Sequence, residues 1–300
     1  MKQIGQGLLY GADELIGMEL EPIEWCCQNI VPRHGKVLII GLAKTAKTLI
    51  TTKLMIQASL GEPLLGFPSG KNVVLYIALE RYQDFHQKLK DMSKGNLPNF
   101  YVLDHCDHPL FLDTTVAHGA SEIILAINEC GADIVVLDSK YKTTTKKESD
   151  EEATGNWIRN MDIITRDTGA SIITIHHSPK QEYEELVNRA AGSSLLSRWA
   201  DVIVGIKKLT RDKKDPFRVL EFVSNAGHEP DPITVKITDD GFEDVAEELM
   251  ISKTVEAIDI ISADIKRDSS IHITKRINKL AEITDIKERT YWYAWNIIRP

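Results

Sequence analysis

GLAKTAKT, residues 41–48, decides the reading of this chain. It follows KVLIIG (36–41), a short apolar run ending in glycine, and precedes TLITTKLMIQASL (48–60), whose apolar residues recur at helical spacing. The eight residues match the pattern GxxxxGK[ST] at every position but one, with Ala46 where the second glycine is expected. Such a strand–loop–helix curls main-chain N–H groups around phosphates. It also sends a lysine to the β/γ oxygens and a hydroxyl to Mg²⁺. Lys47 and Thr48 supply the last two, and Gly41, Lys44, Thr45, Ala46 and Leu49 complete the set expected to hold ATP. A plain basic turn between strand and helix is the alternative, and the flanking elements favour the phosphate loop. Alanine at 46 adds a methyl, a cost if the backbone there needs a positive φ.

Outward from this loop, similar apolar runs recur: NVVLYIALE (72–80), FYVLDH (100–105), DIVVLDS (133–139), SIITIHH (171–177) and DVIVGIKKL (201–209). Most are continuously apolar, as strands buried on both faces of a parallel sheet require. ASEIILAINEC (120–130) and GNWIRNMDIITRDTG (155–169) carry helical periodicity between them. Strands alternating with helices predict an α/β fold with a doubly wound, mostly parallel sheet. After Leu209, DPFRVLEFVSN (215–225) and DPITVKITDDGF (231–242) read as antiparallel strands closed by a turn, and 239–248 as a linker. A short helix is expected around 22–29, and a mobile loop over the charged stretch 142–152. The divisions are a lead-in over 1–34, an ATPase core over 35–240 and a helical tail over 250–300.

Two strands end in acids. Glu80 closes NVVLYIALE and Asp138 closes IVVLD, on the side of an open α/β sheet where ligands bind. One acid suits a metal-bound water, and the other suits orienting or deprotonating the attacking water. Strand ends also carry acids simply because they meet solvent, but two acids downstream of a phosphate loop argue for chemistry. His176 and His177 follow a further strand; γ-phosphate sensing, structural packing and metal binding are the roles open to them, and metal lacks further ligands nearby. His105, Cys106 and His108 read as loop.

Bulk properties narrow the partners. The net charge of −8 leaves any nucleic acid to local basic loops. The four cysteines form no CxxC pair, which suits a reducing compartment. No run approaches the roughly 18 apolar residues of a membrane span, and the first residues do not read as a secretory signal. A cytoplasmic protein is expected. The tail, unlike the acidic remainder, carries more Lys and Arg than Asp and Glu, and its pattern reads as helix, turn, helix. A last helix bearing Lys287, Arg289, Tyr291 and Trp295 suits either a DNA groove, in a helix-turn-helix or winged-helix-like domain, or packing and assembly.

The order of GLAKTAKT, VVLYIALE, IVVLDS, ITIHHSPK and AAGSSLLSRWADVIVGI resembles the RepA-type hexameric replicative helicases and related RecA-like ATPases of plasmids and phages. The resemblance runs over about 35–238. It implies a homo-oligomeric ring, often of six subunits, with ATP and Mg²⁺ between neighbours. It also implies Glu80 as catalytic carboxylate, Asp138 as the Walker B acid holding Mg²⁺ with Thr48, and His177 with His176 as γ-phosphate sensor. Lys142, Lys146, Lys147, Lys180 and Arg189 would line a channel for single-stranded DNA. Three departures stand out. Ala46 replaces glycine, Arg81 follows Glu80 where relatives carry a second acid, and Asn225 sits where a neighbour-completing arginine is usual; Lys207, Lys208 or Arg211 are the substitutes at hand. The implied activity is an ATP-driven DNA motor. The alternative is an ATP-binding DNA regulator or recombination accessory with weak or no hydrolysis. A small-molecule kinase, third, would need an acceptor pocket and a lid, which the antiparallel strands after Leu209 do not suggest.

Overall fold

The computed structural model describes residues 2–4, 7–19, 22–79, 82–93, 95–104, 113–144, 146, 150–177, 194–209, 214–244, 257, 260–265, 272–284 and 291. A small hairpin, β1 (Lys2–Ile4) and β2 (Gly7–Leu9), comes first, then the short helix α1 (Ala12–Ile16). β3 (Trp25–Cys27) pairs antiparallel with β4 (Val31–Pro32). The core follows as β5 (Lys36–Gly41), α2 (Lys47–Leu60), β6 (Val74–Ala78), α3 (Tyr82–Met92), β7 (Phe100–Asp104), α4 (Ala117–Cys130), β8 (Ile134–Asp138), α5 (Glu151–Thr168), β9 (Ser171–His177), α6 (Ser194–Trp199) and β10 (Val202–Lys208). Three strands close it: β11 (Phe217–Ser224), β12 (Ile233–Thr238) and β13 (Gly241–Asp244). In the tail, α7 spans Ile273–Ile283.

The described strands β5 to β13 form one sheet in the order β13-β12-β11-β10-β5-β9-β8-β6-β7. From β10 to β7 every pairing is parallel, and β10 to β13 are antiparallel neighbours. The doubly wound α/β sheet predicted from the apolar runs is therefore present. The reason is visible in single strands. In β5, Val37 and Ile39 face one apolar layer with Ile50, Leu54 and Met55 of α2, while Leu38 and Ile40 face a second layer with Ile123 of α4 and Trp157 of α5. A strand with cores on both sides has no polar face to alternate with.

Helix ends follow local chemistry. Asp150 caps α5 by accepting a hydrogen bond from the Ala153 amide at 3.0 Å. Gly169 ends that helix at φ 75, a left-handed conformation that side chains other than glycine resist.

Three local expectations are corrected. The stretch 22–29 holds a strand, β3, in place of a helix. Cys26 and Cys27 are buried, and the Cys26 carbonyl accepts hydrogen bonds from the Gly70 amide and the Asn72 side chain. Those distant partners override the local helical pattern. The linker expected over 239–248 contains β13, because a two-residue turn at Asp239 and Asp240 folds the chain back, Thr238 pairing Gly241. The stretch 142–152 is built at both ends. A single 3-10 turn, Lys140–Thr143, buries Thr143, and α5 begins at Glu151.

The described part of the tail is helical. Ala257, Ile261, Ile277, Leu280 and Tyr291 form their own apolar cluster, and buried Arg276 is ion-paired with Asp264. Lys287, Arg289 and Trp295, on the expected last helix, lie outside the described residues. No described helix is long and apolar enough to cross a membrane.

Candidate functional site

The parallel strands all deliver their carboxyl ends to one edge of the sheet. Register sets which residues meet there: Gly41 at the tip of β5 pairs with His177 at the tip of β9, and Asp138 at the tip of β8 pairs with Ala78 of β6.

The loop after β5 has the shape a phosphate cradle needs. Lys44 and Ala46 both adopt left-handed backbone, at φ 65 and 69, and Ala46 is the residue from which α2 starts. The conformation that favours glycine at this position is thus present with alanine in it. Gly41 must stay glycine for a different reason, since a Cβ there would collide with the Ile206 carbonyl. Thr45 is buried and donates its hydroxyl to the Leu42 carbonyl at 2.9 Å. Leu49 packs on the apolar layer beneath.

Lys47 is buried at the helix start. Its ammonium donates to the Gly41 and Leu42 carbonyls, both at 2.8 Å, and to Nδ1 of His177 at 3.2 Å. An ammonium has only donors, so Nδ1 accepts and a neutral His177 ring carries its proton on Nε2. Next in sequence, Thr48 is half-buried at the opening of α2.

Asp138 is buried, and its Oδ2 accepts a hydrogen bond from the Tyr76 hydroxyl at 2.7 Å. Burial and the nearby carboxylate push the phenol well above its usual pKa, which keeps it a donor. His176 is buried beside His177. Burial, then the charges of Lys140, His177 and Lys47, lower its pKa to about 3, so at neutral pH its ring is uncharged.

Sequence reading passed over two groups. Tyr76 lay inside an apolar run and passed as core, although a tyrosine in a doubly buried strand must find a partner for its hydroxyl. Arg218, on β11, is buried with Nε donating to the Thr45 carbonyl at 3.2 Å and Nη1 to the Asp215 and Phe217 carbonyls at 2.7 Å. No local motif marks it.

Other expected positions are settled in part. Lys142 and Lys146 are exposed beyond β8. Glu80, Lys147, Lys180, Arg189 and Arg211 lie outside the described residues, as do His105, Cys106 and His108. The Asn225 amide and side chain bond the carbonyls of Asp201 and Ala200, which makes it a turn residue, and Lys207 is ion-paired with Glu221 across β10 and β11.

The donor chemistry suits magnesium carried in by a nucleotide. Among the described residues no cluster of three or more His, Cys, Asp or Glu is placed to hold a metal alone. Thr48 and Asp138 offer hard oxygens, and Mg²⁺ is ordinarily held by one or two protein carboxylates with substrate phosphates supplying the rest.

A phosphate loop on the middle strand of a mostly parallel sheet, with a strand-tip acid two strands over, defines a RecA-like P-loop ATPase. The chain belongs to the AAA domain family, whose model matches residues 10–182. Its fold is similar to the crystal structure of a KaiC-like protein from the hyperthermophilic archaeon Pyrococcus horikoshii, with a TM-score of 0.51 over 73% of this chain and 93% of that one, at 12% identity. No curated protein matches the chain.

Proposed function

We propose that this protein is an ATP-hydrolysing DNA motor of the replicative-helicase type, working as a homo-oligomeric ring of the RepA kind. The observation that carries the reading is the contact between Lys47 and His177, which ties the phosphate loop to the end of β9. The loop amides of 41–48 hold the triphosphate, and Lys47 neutralises its charge. Thr48 and Asp138 would hold magnesium, which would supply positive charge to offset that of the phosphates. Glu80 orients and deprotonates the attacking water, while His177, backed by His176, responds to loss of the γ-phosphate.

The segments that follow Asp138 and His177 then shift against a single DNA strand. Their cations, Lys142, Lys146, Lys147, Lys180 and Arg189, contact its phosphates. Lys287 and Arg289 give the tail a hold on duplex DNA. The test is ATP turnover with and without single-stranded DNA, alongside native mass spectrometry. Stimulation of several-fold by a ring species is expected. Background turnover with DNA present, from a monomer, overturns the motor.

One observation favours a second reading, an ATP-binding DNA regulator that hydrolyses slowly. Asn225 is spent on a turn and Lys207 on Glu221, so two positions proposed for the residue that completes a neighbour's site are engaged within their own chain. An arginine finger contributes orders of magnitude in rate. Tight ATP binding, with turnover indifferent to DNA, selects this reading.

A further inference from the structure

Thr48 and Asp138 stand on separate elements, one opening α2 and the other ending β8. A buried hydroxyl braces each of them. Thr52, one helical turn after Thr48, donates its hydroxyl to the Thr48 carbonyl at 2.7 Å. Tyr76 in turn donates to Asp138 Oδ2 at 2.7 Å. Thr52 and Tyr76 are wholly buried.

The sheet explains why the bridging residue is a tyrosine. Tyr76 pairs with Val136, and Asp138 lies two residues further along β8 on the same face. A diagonal of roughly 7–8 Å between such neighbours is beyond a serine but within reach of an aromatic side chain. The ring cannot tilt away, because it stacks on Phe85 at 4.5 Å and on Phe100 at 6.2 Å. Its hydroxyl is therefore a fixed point against which the carboxylate is set.

We propose that Tyr76 is a positioning residue for magnesium: it fixes the orientation of the Asp138 carboxylate, and so sets how much tighter a nucleotide binds with Mg²⁺ than without. This rests on the reading of the site as an ATP site. Its role is distinct from those of Lys47 and Glu80, since Tyr76 acts only through Asp138.

The experiment is calorimetric titration of the full-length chain with ADP, in Mg²⁺ and in EDTA, which reads binding apart from turnover. Tyr76→Phe keeps the stacked ring and deletes the hydroxyl. It is expected to cut the Mg²⁺-dependent gain in ADP affinity about tenfold, the scale of one hydrogen bond to a charged group, with affinity in EDTA unchanged. Phe85→Leu loosens the same stack but keeps the hydroxyl, and is expected to lose less of the gain than Tyr76→Phe. The proposal is overturned if Tyr76→Phe retains the wild-type gain, if Phe85→Leu loses as much, or if the wild type binds ADP equally in both buffers. A wild type that binds no ADP in either buffer overturns the nucleotide reading itself, and this inference with it.

Discussion

The Lys47 ammonium and Nδ1 of His177 lie 3.2 Å apart, although 130 positions separate the residues in the chain. The contact exists because β5 and β9 are parallel neighbours whose last residues, Gly41 and His177, pair in register. The lysine that opens α2 thus touches the strand tip of β9 as well as the carbonyls of its own loop.

His177→Ala is expected to leave ADP affinity within about twofold of wild type while lowering ATP turnover on the order of 100-fold, the scale of removing one preorganised polar group at a reacting phosphate. Comparing ADP titration with steady-state turnover separates the two quantities. Equal loss of both would mean that His177 serves binding and not hydrolysis.

Ala46 holds φ 69 at the start of α2. A left-handed residue bearing a Cβ costs roughly 1–2 kcal/mol, partly offset in glycine by the greater freedom of the unfolded chain. Ala46→Gly is accordingly expected to stabilise the fold by about 0.5 kcal/mol, with a rise in melting temperature of a degree or two. Differential scanning calorimetry checks it, and a lower melting temperature would show that the methyl packs usefully.

Arg218 gives a third expectation. Its Nε meets the Thr45 carbonyl one residue before the left-handed Ala46. Arg218→Met leaves a buried carbonyl without that donor, a loss of roughly 1–3 kcal/mol. ADP affinity is expected to fall about tenfold, as measured by titration. Arg218→Lys cannot reproduce three bonds from one planar fork and should restore little.

The fourth concerns acid stability. His176 has its folded pKa lowered to about 3 from 6.5, by burial first and by neighbouring cations second. Between those values the unfolded chain binds a proton that the folded chain excludes, so stability is full above pH 6.5 and falls as the pH drops toward 3. The slope from this residue is about 1.4 kcal/mol per pH unit. His176→Leu is expected to flatten that slope between pH 6 and pH 4 in urea unfolding. An unchanged slope would place the acid sensitivity elsewhere.

Much of this protein was legible in single stretches of chain. The apolar runs announced strands buried on both faces, and the helical periods between them announced a doubly wound sheet. GLAKTAKT announced the phosphate loop, because such motifs depend on residues a few positions apart. Asp138 was legible as an acid at a strand tip, and the antiparallel ending after Leu209 as strands opened by proline. The same local reading put a helix over 22–29 and a linker over 239–248, where partners far along the chain decide the conformation.

What only the tertiary structure decided are the pairings of distant side chains. Tyr76 and Asp138 are 62 positions apart, and Arg218 and the Thr45 carbonyl are 173 apart. Strand order and register choose these neighbours, and no local pattern records which distant residue a buried hydroxyl or guanidinium will face. The sequence by itself determined the elements and the phosphate loop, since periodicity and turn chemistry act over short range. The arrangement of polar groups along the carboxyl edge of the sheet came from packing, since burying a polar group compels it to find a partner wherever the sheet has brought one.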